Sequence, residues 1–280
     1  MKSCIYPPPR PKYKRVIALP SSNFSNLSEP ARTFHIAMLA RTLGIFRVEE
    51  VVIYRHEGVS CSYVEDVLRA LETPQYLRKK LTPIKKSLRF LGLVPPISLP
   101  SHQLKDDNFP LREGLVIARK GEFLLVDIGL EKPIKVKGEV YVGERVTLKR
   151  DKGEWILADP EQVEVYWKYS VKCFPNLSNT VDEFRRRNFL VIATSRKGEP
   201  SNFKLLYSIF EEMKSREANG LLIIFGSWKK GLYEIARDEG RELSTLADYV
   251  LNTVPCQGTR TVRTEEAVLA TLSIINVLID

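Results

Sequence analysis

Two α/β stretches flank a run of short strands, and that interruption limits the folds open to this chain of 280 residues. In the first stretch Val16-Ile17-Ala18-Leu19 reads as a buried strand. Ser28-Glu29-Pro30 then opens a helix with Ser28 as its cap, and Ile36, Leu39, Ala40 and Leu43 recur at helical spacing. Glu50 to Tyr54 is a second strand, and Ser62-Tyr63-Val64-Glu65 is a capping box that starts another helix. Beyond Leu93 the helical period stops at a linker marked by Pro95, Pro96 and Pro100. Between Gly114 and Trp167 the apolar runs are short: Leu115–Ala118, Phe123–Val126, Ile134–Val136, Val146–Leu148 and Trp155–Leu157. Turns at Gly121, Gly129, Gly138, Gly143 and Gly153 separate them, which predicts a small barrel, either OB-like or SH3-like.

After Cys173 the α/β rhythm returns. Thr180-Val181-Asp182-Glu183 reads as a capping box, and Leu190–Ala193 as a strand that stops at Thr194-Ser195. Ser201 is expected to cap a helix through Phe203, Leu206 and Phe210. Leu221–Phe225 is a strand ending at Gly226-Ser227, and a short helix follows Gly231. A strand near Tyr249–Leu251 leads into a long loop and a final helix. The fold class is therefore α/β, with residues 1–93 and 168–280 forming one βα domain around an inserted module, 94–167.

Lys plus Arg number 43 against 34 Asp plus Glu, and the resulting charge of +9 favours a polyanionic partner. Cys4, Cys61, Cys173 and Cys256 are dispersed, and the histidines are His35, His56 and His102. None stands at metal-ligand spacing, so no metal site is expected. Dispersed cysteines suit free thiols in a reducing compartment, and no apolar run is long enough for a bilayer. The expectation is a cytoplasmic protein without a membrane contact. The Pro-rich basic segment Tyr6–Arg15 should be extended or mobile.

Three strand ends of the last third are small or polar: Ala193-Thr194-Ser195-Arg196, Phe225-Gly226-Ser227 and the loop from Asn252 to Thr261. Open α/β sheets bind ligands outside the carboxyl ends of their strands, which suggests one shared pocket. No Gly-x-Gly-x-x-Gly or Walker-type motif follows a strand. The histidines lie outside the second half, so no nucleophile-base set stands out, and Cys256 has no histidine neighbour in sequence. The final helix is apolar nearly all round, through Ala267, Val268, Leu269, Ala270, Leu272, Ile274, Ile275 and Val277. Such a helix is buried by its own domain or by another subunit.

Five stretches carry a family resemblance: Ala18–Ser21, Ala40–Val52, Pro74–Lys79, Leu111–Val116 and Asn252–Ala267. In that order the chain resembles a SPOUT-class RNA methyltransferase family of archaea and eukaryotes with an inserted OB-like domain. The resemblance implies a trefoil-knotted domain that binds S-adenosylmethionine on three loops. By position those carry Ala193, Thr194 and Ser195, then Phe225, Gly226 and Ser227, then Asn252, Val254, Pro255, Gln257, Gly258, Thr259 and Thr261. It also implies a homodimer acting on RNA, with Arg41 and Arg32 as catalytic candidates that steady negative charge. The RNA is rRNA or tRNA, and the acceptor is a base or a ribose, with the family leaning to a pyrimidine nitrogen of rRNA. Charge distribution adds Arg15, Arg78, Lys79, Lys85, Lys86 and Arg89 as RNA contacts. A general base is not evident. Glu265 and Glu266 are candidates, though first-turn glutamates also serve the helix dipole.

Overall fold

The computed structural model describes residues 6–279. They form two compact units. The larger comprises Pro11–Arg69, Lys86–Ile97 and the chain from Tyr169 onward; the smaller comprises the residues up to Arg10, then Ala70–Lys85 and Ser98–Lys168.

The larger unit is a parallel α/β layer. Its strands are β1 (Lys14–Pro20), β2 (Glu50–Tyr54), β8 (Ser170–Phe174), β9 (Phe189–Pro200), β10 (Gly220–Ile224) and β11 (Tyr249–Asn252). All pair in parallel, in the order β11-β9-β10-β1-β2-β8. Val16 to Leu19, Val51 to Tyr54 and Leu221 to Ile224 are buried, as strands covered on both faces require. Each Val, Leu or Ile side chain among them contributes roughly 1.5–3 kcal/mol. The helices are α1 (Ala31–Ile45), α2 (Ser62–Glu72), α4 (Leu177–Arg186), α5 (Phe203–Ser215), α6 (Leu232–Asp238), α7 (Leu243–Leu246) and α8 (Thr264–Ile279). α8 packs against α1 and α5. It buries Val268, Leu272 and Ile275 and leaves Leu269 and Val277 exposed.

Several local expectations need correction. α1 begins at Ala31 after Pro30 with no side-chain cap, and Ser28 contributes its carbonyl to the Arg32 N–H. α4 is capped by Asn176, whose side chain accepts from Asn179 N, so Thr180 lies inside the helix. α5 is capped by Asn202 through Leu205 N, one residue later than Ser201. In both cases a neighbouring asparagine, an equally good cap, wins the position. β9 does not stop at Thr194. Its pairing with β11 jumps from Val250↔Ala193 to Leu251↔Glu199, so residues 194–198 bulge out and the strand resumes.

Cys61 and Cys173 form a disulfide between the start of α2 and β8. The expectation of free thiols fails there, because the sheet brings together cysteines separated by 112 residues in sequence. That removes the support the thiols lent to a reducing compartment. Cys256 is free and exposed, and Cys4 lies outside the described residues.

The smaller unit holds α3 (Gln75–Leu81) and an antiparallel sheet of β3 (Leu111–Lys120), β4 (Phe123–Asp127), β5 (Ile134–Lys137), β6 (Arg145–Asp151) and β7 (Glu154–Leu157). The strand order is β5-β4-β3-β6-β7. Val116, Leu124, Val126, Ile128, Val136 and Leu148 make its core. Pro9 bridges to Val165, and Arg10 N donates to Glu164 O at 3.0 Å. The proline segment is therefore docked at that point, because main-chain groups there find partners. Among the described residues no helix is long and apolar enough to cross a membrane.

Candidate functional site

The sheet order sets where a site can form. β1 lies between β10 and β2, so the loop after β1 and the helix α1 border the carboxyl ends of β9 and β10. A cavity of about 790 Å³ opens there. Phe24 and Leu27 after β1, the β9 bulge Thr194–Lys197, Phe225–Lys229 after β10, and residues of the loop before α8 form its wall. His35 of α1 and Glu265 of α8 join them. This is the position at which open parallel sheets bind ligands.

Each loop is held by its own hydrogen bonds. Thr194 Oγ1 donates to Ile224 O at 3.0 Å, and Ser195 Oγ accepts from Lys197 N at 3.1 Å. The turn after β10 is tied to β1 and β2: Phe225 N donates to Ala18 O at 3.0 Å, and the Tyr54 hydroxyl donates to Phe225 O at 2.7 Å. Asn23, wholly buried, donates to Gly226 O at 3.3 Å and accepts from Trp228 N at 3.2 Å. Ser227 Oγ accepts from Lys230 N at 2.8 Å. A Cβ at Gly226 would lie 3.0 Å from Lys230 O and 3.2 Å from Leu232 N, so the turn closes on itself as tightly as glycine permits. In the last loop Asn252 Oδ1 accepts from Val254 N at 3.2 Å, Gln257 Nε2 donates to Thr259 O at 2.8 Å, and Arg196 Nη1 donates to Arg260 O at 3.0 Å. Phe24 is held at φ 65°, a left-handed conformation costly for a bulky residue and characteristic of functional loops.

Of the residues expected to bind a cofactor, Thr194, Ser195, Phe225, Gly226, Ser227, Asn252, Val254, Gln257 and Thr261 lie on the cavity wall. Ala193 is buried at the end of the first part of β9, and Pro255, Gly258 and Thr259 belong to the loop but stand exposed beside the wall. The catalytic candidates are not among the lining residues. Arg41 is exposed on α1, and Arg32 stacks its guanidinium 3.6 Å from the centroid of Tyr63. Burial of Arg32 lowers its pKa against the opposing charge of Glu29.

Arg15 is no RNA contact. Its side chain is fully buried and donates from Nη1 to Phe46 O and to Asn276 Oδ1, each at 2.8 Å. β1 is a central strand, so even its second residue points into the fold. Arg78 is half-buried and donates to Thr73 O at 3.3 Å. Lys79, Lys85, Lys86 and Arg89 are exposed.

Sequence reasoning missed the cavity's contribution from the first half. His35 lies outside the second half of the chain, yet its Nδ1 is 2.5 Å from Glu265 Oε1 and it lines the cavity. Arg263 Nη1 stands 3.5 Å from His35 Nε2. Glu266 accepts from Arg263 N at 2.8 Å and is an ordinary first-turn glutamate. Trp228, exposed on the rim, gave no periodic signal. Among the described residues no cluster of three or more His, Cys, Asp or Glu is placed to hold a metal.

The family profile described as "Putative RNA methyltransferase" matches residues 14–275. A human 28S rRNA (uridine-N(3))-methyltransferase is 31% identical over 302 residues, covering 93% of this chain and 77% of the relative. The mouse protein of the same name is 31% identical over 299 residues, covering 93% and 75%. A solved SpoU methyltransferase, AviRb from Streptomyces viridochromogenes in complex with AdoMet, aligns with a TM-score of 0.41 and 12% identity over 99% of this chain and 62% of that one. The chain belongs to this family of RNA methyltransferases.

Proposed function

We propose that the cavity at the carboxyl ends of β1, β9, β10 and β11 holds S-adenosylmethionine and that the methyl group goes to N3 of a uridine in large-subunit rRNA. The observation that carries this reading is the convergence of three loops rich in Gly, Ser, Thr and Asn on one cavity. About 790 Å³ is within the roughly 300–1,000 Å³ typical of ligand pockets. The residues fit the donor. Gly226 leaves no side chain at the tight turn, Phe24, Leu27, Val254 and Val262 offer apolar surface for a flat ring, and loop main chain offers polar groups. When bound, S-adenosylmethionine supplies a methyl group already activated on a sulfonium, so the chain's own task is alignment and control of charge and protons. The acceptor class follows the relatives that are named for uridine N3 of 28S rRNA.

The same reading takes the domain as a SPOUT trefoil knot, with α8 returning through the loop before it. The return of α8 to α1 supports this. It takes the enzyme as a homodimer. Phe34 and Met38 on α1 and Leu269 on α8 are 48%, 40% and 44% exposed, apolar surface that a partner subunit would cover. Arg41 follows on α1, seven residues after Phe34, and under this reading acts in the partner's site. The smaller unit is read as an OB-like module. Its central first strand, with the second and third on one side and the fourth and fifth on the other, is a Greek-key order and not a meander. Lys79, Lys85, Lys86 and Arg89 are taken as phosphate contacts, which position RNA without reading its sequence.

The test is transfer from labelled S-adenosylmethionine to large-subunit rRNA, followed by nucleoside mass spectrometry. 3-Methyluridine is the expected product. A labelled ribose, or a labelled cytidine, overturns the acceptor assignment.

A further inference from the structure

We infer that His35, oriented by Glu265, is the base that removes the N3 proton of the target uridine. The inference rests on the uridine-N3 reading above.

The chemistry requires such a group. N3 of uridine is an imide nitrogen whose lone pair is spread into two flanking carbonyls. It becomes a nucleophile when its proton leaves. A sulfonium methyl donor accepts no proton, so the proton must pass to the protein or to water.

The cavity offers few acceptors. Glu234 is engaged, accepting from Gly231 N at 3.1 Å where it closes the start of α6. Glu265 faces His35. Arg196, Lys197, Lys229 and Arg263 carry hydrogen-bond donors and no acceptor. His35 is the imidazole on that wall, the side-chain type that most often serves as a general base.

The local geometry fixes its tautomer. A carboxylate at 2.5 Å from Nδ1 accepts the Nδ1 proton, which leaves Nε2 with its lone pair. The Arg263 guanidinium at 3.5 Å from Nε2 is consistent with an unprotonated nitrogen there. The side chains of His35 and Glu265 are 16% and 11% exposed, so the pair is shielded yet borders the cavity. The charged groups in contact with the ring are Glu265 of α8 and Arg263 just before it, and the other charged groups on the cavity wall are Arg196 and Lys197 on β9, Lys229 after β10 and Glu234 on α6. On its own helix Arg32 is stacked on Tyr63.

The step balances as follows. The N3–H bond breaks and its proton binds Nε2. The N3 electron pair forms the new bond to the methyl carbon. The carbon–sulfur bond breaks with its electron pair returning to sulfur, which leaves a neutral thioether. The resulting imidazolium is stabilised by Glu265 and gives its proton to solvent after release.

The experiment uses the full chain with large-subunit rRNA, in single-turnover assays from pH 5.5 to 9, beside calorimetry with S-adenosylmethionine and gel-shift measurement of RNA affinity. The wild-type rate should rise with pH through one ionisation and then level. His35→Gln should lower the rate about 10²–10⁴-fold and abolish that ionisation. Its affinities for donor and RNA should stay within about threefold, under 1 kcal/mol. Glu265→Gln should move the midpoint to lower pH, because removing a neighbouring negative charge makes the imidazole less basic. Imidazole NMR of the protein without RNA should show the same displacement of the His35 titration, independently of turnover. If His35→Gln transfers within threefold of wild type at every pH, or if its loss is accounted for by donor affinity, His35 only ties α1 to α8. A wild-type enzyme that makes no 3-methyluridine overturns the acceptor reading; one that makes it while His35→Gln remains active overturns this assignment alone.

Discussion

Arg15 on β1 and Asn276 on α8 are 261 positions apart, and the Arg15 Nη1 proton is donated to Asn276 Oδ1 at 2.8 Å. Arg47 Nη2 reaches the same oxygen at 3.3 Å. One amide therefore secures the last helix to the central strand and to the turn after α1. Burial pushes the Arg15 guanidinium down to about 10, against the opposing effect of Glu49. It stays charged at neutral pH and needs its acceptors.

Replacing Asn276 with Ala withdraws the shared acceptor from two guanidinium groups. A lost hydrogen bond to a charged buried group costs about 1.5–3 kcal/mol. Asn276→Ala should lower the urea midpoint accordingly, while RNA affinity and its salt dependence stay unchanged. A reduced salt slope would instead return Arg15 to the RNA surface.

How far this was readable in sequence depends on range. β1, β2, β9 and β10 were legible because central parallel strands are continuous apolar runs. The five strands of the smaller unit were legible from their turns. β8 was missed because Ser170–Phe174 is an edge strand that buries only Val171. α3 was missed because Gln75–Leu81 carries three consecutive basic residues and one buried leucine. The loops of the last third pointed to a ligand by composition. The His35–Glu265 pair did not, because it exists only once β1 inserts beside β10 and brings α1 to α8 across 230 positions.

Gly198 governs the shape of the bulge in β9. A Cβ there would sit 2.7 Å from Val250 O and from the Leu251 carbonyl carbon, both main chain. Gly198→Ala must push β9 from β11 at the bulge that carries Thr194 and Ser195. Overpacking of this kind costs about 1–3 kcal/mol. Expressed in the cavity, that is roughly a tenfold or greater loss of S-adenosylmethionine affinity by calorimetry, with the smaller unit undisturbed.

Glu113 organises the smaller unit. Its carboxylate, fully buried, accepts from Arg145 Nε at 2.5 Å, Lys168 Nζ at 2.7 Å, Thr147 Oγ1 at 2.5 Å and Trp167 Nε1 at 2.6 Å. Burial alone would raise its pKa. The charges of Lys168 and Arg145 and the hydrogen bonds from Lys168 and Thr147 outweigh that and hold it at about 2. A carboxyl depressed in the fold stabilises the fold above its unfolded value and loses that contribution as pH falls. Stability should therefore decline between about pH 4.5 and 2, by on the order of 3 kcal/mol. Glu113→Gln should be destabilised near neutral pH and show a flatter acid dependence, measured by circular dichroism melts across that range. A parallel pH dependence in both proteins would assign the acid sensitivity to other groups.

The Cys61–Cys173 bond closes a loop with a sequence separation of 112 residues. Cross-links of this kind typically contribute about 2–4 kcal/mol. Cys173→Ser should lower the thermal midpoint of the larger unit, and reductant should lower it in the wild type but not in the variant. Thiol titration of the unfolded chain should find two more reactive groups after reduction.

Arg41 tests the dimeric reading. It is exposed on α1, on the same helix as the exposed Phe34 and Met38, and does not border the cavity of its own chain. If it serves a partner's site, Arg41→Ala should lower turnover about 10²–10³-fold, the effect of losing one preorganised charge donor, with donor affinity unchanged. Leu269→Lys should convert the dimer to monomer in light scattering and reduce turnover as well. At donor concentrations too low to fill the Gly198→Ala cavity, mixing the Arg41→Ala chain with the Gly198→Ala chain should then restore part of the activity, because one site of the mixed dimer pairs an intact cavity with an intact arginine. A monomeric wild type, or the absence of such restoration, would place Arg41 outside the reaction.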